Sequence, residues 1–226
     1  MTLCRFGPIR ERLWAFAQMG FARGPLSRMA GLTFWKLLGS GTGEGFTPVP
    51  NTGVYAILCV WSGPDAARDG LRQPVFARYR DHAVETCTLS LRPLSSRGRW
   101  SGTAPFQPDE GPADGPLAAL TRATVRPRNL WRFWKRVPDI SRRIGTNADV
   151  RLKIGVGEVP FLHQVTFSVW PDLASMARFA RIGGPHAAAI EAVRREDWFA
   201  EELYARFRVT AADGTWEGRP ATEVLK

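Results

Sequence analysis

The chain has 226 residues, 44% of them apolar and 23% charged, with Trp at 9 and Phe at 13 positions, which excludes a disordered or collagen-like chain and leaves room for one large domain or two small ones. Basic residues outnumber acidic ones by 31 to 21, a net charge of +10, which favours nucleic acid, an anionic membrane surface or an acidic protein without choosing among them. Three cysteines, Cys4, Cys59 and Cys87, form no C-x-x-C pair, so a disulfide framework or thiolate zinc site is not expected and a reducing compartment is.

Thr2 to Phe6 reads as a strand, followed by a helix with an apolar stripe at Leu13, Phe16, Ala17 and Gly20. The stretch Leu13 to Phe21 is interrupted by Gln18 and Gly20 and is not expected to be a signal peptide. Strands follow near Leu32 to Leu38, Val54 to Trp61 and Glu85 to Leu91, with a helix over Asp65 to Phe76. Val54 to Trp61 is almost wholly apolar, the pattern of a strand buried on both faces. In the second half, Leu120 to Val125 reads as a strand, and Leu130, Phe133, Trp134 and Val137 recur at helical spacing. Val150 to Gly155 and Phe161 to Trp170 read as strands. Asp172 caps a helix with the stripe Leu173, Met176, Ala177 and Ala180, which Gly183-Gly184-Pro185 interrupts. A further helix is expected from Pro185 to about Glu202, and a closing strand from Leu203 to Val209. Each half thus has the order β-α-β-β-α-β, that of a ferredoxin-like unit.

The chain also matches itself. Displaced by 117 residues, Leu3, Arg5, Leu13, Trp14, Phe16 and Lys36 fall on Leu120, Arg122, Leu130, Trp131, Phe133 and Lys153. Displaced by 116, Glu85, Arg92, Gly98, Trp100 and Gly102 fall on Glu201, Arg208, Gly214, Trp216 and Gly218. The expected fold class is therefore α+β, with tandem ferredoxin-like halves at 1–106 and 117–218 packed sheet on sheet as a single-chain version of the dimeric α/β barrel.

Three histidines are the obvious candidates for chemistry. His82 sits in a polar stretch and reads as a solvated surface residue, and His163, beginning a strand, as structural. His186 follows Gly-Gly-Pro and heads the stripe His186, Ala189, Ile190, Val193, so its ring should point inward and needs partners for its nitrogens. It reads either as a histidine bonded to backbone at a helix start or as the axial, metal-binding ligand of a haem. Paired-histidine metal motifs and a G-x-S-x-G elbow are absent. The glycine-rich loop from Gly39 to Gly45 lacks the ending of a P-loop and reads as a mobile loop or lid.

Three blocks, FWKLLGSGTGEGFTPVPNTGVYAIL from Phe34 to Leu58, RGRWSGTAPF from Arg97 to Phe106 and WFAEELYARF from Trp198 to Phe207, resemble the bacterial carotenoid oxygenases of the spheroidene monooxygenase family. The resemblance implies a haem-dependent, ferredoxin-coupled monooxygenase that uses O2 to place a keto group at C-2 of acyclic carotenoids. Tandem barrels of this kind also resemble the haem proteins of the chlorite dismutase group, whose C-terminal half alone binds haem through a helical histidine, which again implicates His186; catalytic residues remain unassigned. The expected partners are an acyclic carotenoid, reduced ferredoxin and O2, with no nucleic acid, and the expected location is the cytoplasm, peripheral at the inner face of the membrane. The alternative is a non-catalytic carotenoid or lipid carrier that uses the cavity between the sheets.

Overall fold

The structure, a computed structural model, describes residues 1–43, 47, 49–109, 111, 114–135, 149–181 and 198–226. Strand β1 (Thr2–Arg5) leads into helices α1 (Ile9–Phe21) and α2 (Arg23–Ser27), then strands β2 (Leu32–Gly41) and β3 (Pro50–Trp61). Helices α3 (Pro64–Leu71) and α4 (Pro74–His82) and strand β4 (Glu85–Gly98) complete the first half. The single helix expected over Asp65 to Phe76 is two, because Pro74 has no amide hydrogen and opens a new first turn.

In the second half, β5 (Leu117–Val125) precedes a helical segment, α5, at residues 130–135. Next come β6 (Leu152–Gly157), β7 (His163–Trp170), α6 (Leu173–Arg181), β8 (Phe199–Trp216) and the short β9 (Arg219–Pro220). Asp172 does cap α6, accepting the Ser175 amide at 2.7 Å. The helix expected to run to about Glu202 is corrected at its end, since residues from Phe199 onward belong to β8. The rest of that helix, His186 included, lies outside the described residues, as do Val137 and residues 44–46, and Gly39 to Gly41, expected in a loop, instead end β2.

The strands form an antiparallel sheet in the order β4-β1-β3-β2-β6-β7-β5-β8-β9, and β4 also pairs with β8. With helices beside it, this is an α+β fold whose sheet closes on itself, β4 pairing with β8 and β2 with β6. The two seams differ: β2 meets β6 through Gly39–Gly157 and Ser40–Val156, whereas β4 and β8 are paired from Cys87–Gly214 to Gly98–Leu203. Gly98 and Gly214 both have positive φ, and a Cβ at either would collide with a carbonyl of the opposite strand, Glu202 or Thr86. The long seam depends on glycine at both ends.

Alternation along the strands sorts the side chains. Leu3, Leu38, Ala56, Leu89, Leu120, Ile154, Phe167 and Phe207 point inward, together with Trp100 and Phe106, and form one buried core. The space between the sheets, which a carrier would need as a cavity, is therefore packed core. On the outer face of the first half, Cys4, Leu37, Tyr55 and Ile57 pack against Ala15, Ala22, Leu26, Val75, Phe76 and Tyr79 of the helices.

The inward face of α1 is a second correction. Ala15 and Gln18 are buried there, while Leu13 and Phe16, expected to be core, are 63% and 66% exposed. Trp14 sets the phase: its ring stacks on His82 at 3.9 Å and meets Tyr79 edge-on at 5.3 Å. Trp131, its match in the self-alignment, is 80% exposed on α5. Lys36 and Lys153, also aligned, lie on strands of the two halves but only Lys36 faces inward, because Leu152 and Ile154 take the inward positions on β6.

Candidate functional site

At one end of the barrel the apolar interior gives way to charge. Arg122, only 2% exposed, lies on β5 beside Trp100, with its guanidinium 5.8 Å from the ring. It pairs with Glu201 of β8 and stands 3.9 Å from Glu158, which follows β6. Glu158 accepts hydrogen bonds from Lys36 Nζ at 2.7 Å and Trp100 Nε1 at 2.6 Å. Glu201 accepts the Gly102 and Ser101 amides at 2.7 and 3.0 Å. Burial opposes ionisation of Glu201, but those amides and Arg122 outweigh it and hold its carboxyl below the ordinary value.

The other end of the barrel repeats part of this set. Arg5 Nε donates to Glu85 at 2.8 Å, the Arg5 guanidinium lies 4.6 Å over Trp216, and the Gly218 amide donates to Glu85 at 2.7 Å. Arg5 and Arg122, Glu85 and Glu201, Trp100 and Trp216, and Gly102 and Gly218 are the residues that align at displacements of 117 and 116. In each set the arginine and glutamate come from one half and the tryptophan and glycine from the other. Lys36, Glu158 and His163 are added at the Arg122 end.

His163 is drawn into this polar mouth: its Nδ1 is 3.8 Å from Glu158. Burial first, then Arg122 and Lys36, lower its pKa from the ordinary histidine value against the pull of Glu158 and Glu201. A histidine held neutral in the fold contributes stability above its unfolded pKa of about 6.5 and loses it as the pH falls. The wild type should therefore lose stability between about pH 7 and pH 5.5, and His163→Gln should lose less over that interval. Urea unfolding at both pH values measures this; equal losses would count against it.

His82 is not solvated as expected: its Nδ1 lies 2.6 Å from Glu11, tying α4 to α1. That bond holds the Glu11 carboxyl below its ordinary value. The three cysteines are free, with burial pushing Cys4 and Cys59 up to about 12 and Cys87 to about 11, so none is a ready nucleophile. Among the described residues no cluster of three or more His, Cys, Asp or Glu could hold a metal ion. A surface groove of about 570 Å³ among α2, α3 and α4 is lined by Pro25, Met29, Gly70 and Val75, and neither His82 nor His163 borders it.

The outer face of the second half differs from that of the first. Beside the inward Leu120, Ile154, Val165 and Phe167, the outward positions are Ala119, Thr121 and Ala123 on β5, Gly155 on β6, and Thr166 and Ser168 on β7. Thr121 pairs with Thr166, which pairs with Gly155, so small residues run across the sheet at one level. Thr121, on a central strand, is exposed. Where the first half places Leu37, Tyr55 and Ile57, the second places these small residues, with Lys153, Trp170 and Tyr204 on the same outward face. His186, the expected ligand, lies outside the described residues.

No family model matches the chain. It is 47% identical over 232 residues to a spheroidene monooxygenase of Rhodobacter capsulatus, covering 100% of this chain and 96% of that one. It is 49% identical to a spheroidene monooxygenase of Cereibacter sphaeroides, covering 100% and 71%, and 37% identical to one of Rubrivivax gelatinosus, covering 92% and 80%. Among solved structures, an aldoxime dehydratase in complex with butyraldoxime is similar with a TM-score of 0.59, covering 99% of this chain and 83% of that one. At 10% identity that likeness concerns the fold alone.

Proposed function

Because the chain belongs to the spheroidene monooxygenase family, we propose that it is an oxidoreductase that inserts oxygen into an acyclic carotenoid, with haem as cofactor and reduced ferredoxin and O2 as co-substrates. The observation that carries this reading is the identity of 47% along the whole chain to a spheroidene monooxygenase. The haem part rests on the family resemblance, and the outward residues Ala119, Thr121, Gly155 and Thr166 of the C-terminal sheet, beside Lys153, Trp170 and Tyr204, are the face it would use. His186 would hold the iron, and haem when bound supplies the oxygen activation.

The chain's own residues bind, orient and exclude water. The filled barrel interior gives the outer face of the second half a rigid floor. The Arg122–Glu201–Trp100 contacts join the ends of β4, β5 and β8 and so fix that floor. Insertion of one oxygen atom into a methylene C–H bond consumes one O2, two electrons and two protons and releases one water. A second insertion at the same carbon yields a gem-diol, which loses water to leave the ketone. The net charge of +10 suits an acidic ferredoxin as electron donor. We also propose that residues 1–106 and 117–218 are two ferredoxin-like halves of a duplicated unit, supported by the strand orders β4-β1-β3-β2 and β8-β5-β7-β6 and by the twice-used Arg, Glu, Trp and Gly set.

The test is to supply haem-loaded protein with a ferredoxin reducing system, O2 and spheroidene in liposomes and to follow products by mass. The expected product carries a new keto group, formed only with ferredoxin and O2 together. Unaltered spheroidene, with bound carotenoid recovered on the protein, would replace the reading with a carrier.

A further inference from the structure

Helix α1 carries large apolar side chains on its outside. Ile9, Leu13 and Phe16 are 70%, 63% and 66% exposed, and their spacing puts them on one stripe, while Gln18 on the opposite side is buried. Phe21, 76% exposed, continues the apolar surface at the end of the helix. Val84, 59% exposed, adjoins its start, because a Cβ at Gly7 would lie 3.1 Å from the valine methyl. Arginines border the stripe. Arg10, with its side chain 83% exposed, lies on one side and also reaches Glu11 at 2.9 Å; Arg12 lies on the other, bonded to the Gly7 carbonyl at 2.9 Å. Arg23 and Arg28 are exposed beyond the C-terminal end of α1. Glu11 is turned to His82 and leaves the stripe without an acidic member.

We propose that this face of α1 docks on an anionic phospholipid bilayer, with Ile9, Leu13 and Phe16 among the acyl chains and the arginines at the headgroup phosphates. An in-plane helix with an apolar stripe and basic borders suits such an interface. A second copy of the chain would set Arg10, Arg12 and Arg23 against their own counterparts, and an acidic protein would match the arginines but not the aliphatic and aromatic centre. The bilayer matches both. No helix among the described residues is long and apolar enough to cross a membrane. In its purpose the proposal rests on the carotenoid reading, since a long polyene dissolves in acyl chains and must be collected there.

Flotation with vesicles of phosphatidylcholine plus phosphatidylglycerol, and of phosphatidylcholine alone, tests it. The wild type should float with the anionic vesicles and less with the neutral ones. L13E/F16E, with an unchanged circular dichroism spectrum, should lose at least about tenfold in bound fraction. R10Q/R23Q should lose only the preference for anionic vesicles. In turnover, L13E/F16E should fail on spheroidene held in vesicles yet act on the same carotenoid in detergent micelles. Absence of turnover in both formats by the wild type would defeat the carotenoid reading while flotation still decided the docking. Equal flotation of L13E/F16E and wild type would overturn the proposal, as would a wild-type dimer, or a ferredoxin complex, that this variant dissolves without any vesicle binding by the wild type.

Discussion

His186→Ala is expected to yield a folded protein without Soret absorption, and Thr121→Trp should do the same with the histidine intact. The first substitution removes the proposed iron ligand. The second puts an indole on the outward face of the C-terminal sheet, where Thr121 is exposed on a central strand between its cross-strand partners Thr166 and Tyr204. An indole adds far more volume than a threonine methyl and hydroxyl, and a rigid β5 between β7 and β8 cannot retreat to admit it. Absorption spectra of both variants after haem reconstitution, with circular dichroism to establish folding, decide the matter. A full Soret band in His186→Ala would move the ligand to another residue, and a full band in Thr121→Trp would move the cofactor off this face.

Arg122→Met should cost about 1.5–3 kcal/mol, because it removes a guanidinium that is only 2% exposed and takes a charged hydrogen-bond partner from Glu201, itself 24% exposed. Arg5→Met, at the matching place on the other end of the barrel, should cost about 1 kcal/mol or less, since Arg5 is 34% exposed and water screens its pair with Glu85. The two arginines are the same residue type in the same local pattern and differ mainly in burial, so the pair isolates that variable. R122M/E201Q should recover part of the loss by removing the carboxylate that lost its partner. Urea unfolding of the four proteins, wild type included, gives the comparison. Equal costs for the two arginines would mean that the polar mouth is solvated.

Much of the strand order was open to reading in the sequence. Local alternation and turn residues mark β1, β3, β5, β7 and the cap of α6 because those signals act within a few residues. The outward turn of Leu13 and Phe16 was not readable. Helix α1 carries two apolar arcs, and a count of apolar residues cannot choose between them. The choice falls to Trp14, which finds Phe6, just after β1, and Tyr79 and His82 of α4. The break at Pro74 was visible but was read through as one helix.

The candidate site divides in the same way. Arg5, Arg122, Glu85, Glu201, Trp100 and Trp216 stand out in the sequence as a self-match, but only as markers of register. That they bond to one another, with each arginine and glutamate of one half reaching the tryptophan turn of the other, was decided by closure of the β4–β8 seam. Lys36 and Glu158 were missed as a pair because 122 positions separate them. By itself the sequence determined family membership, element types and the residues available for chemistry, since those reside in composition, short-range spacing and residue identity. Only the tertiary structure decided which apolar face of α1 meets solvent and which charges share a buried mouth, because burial and long-range contact arise when the sheet closes and not before.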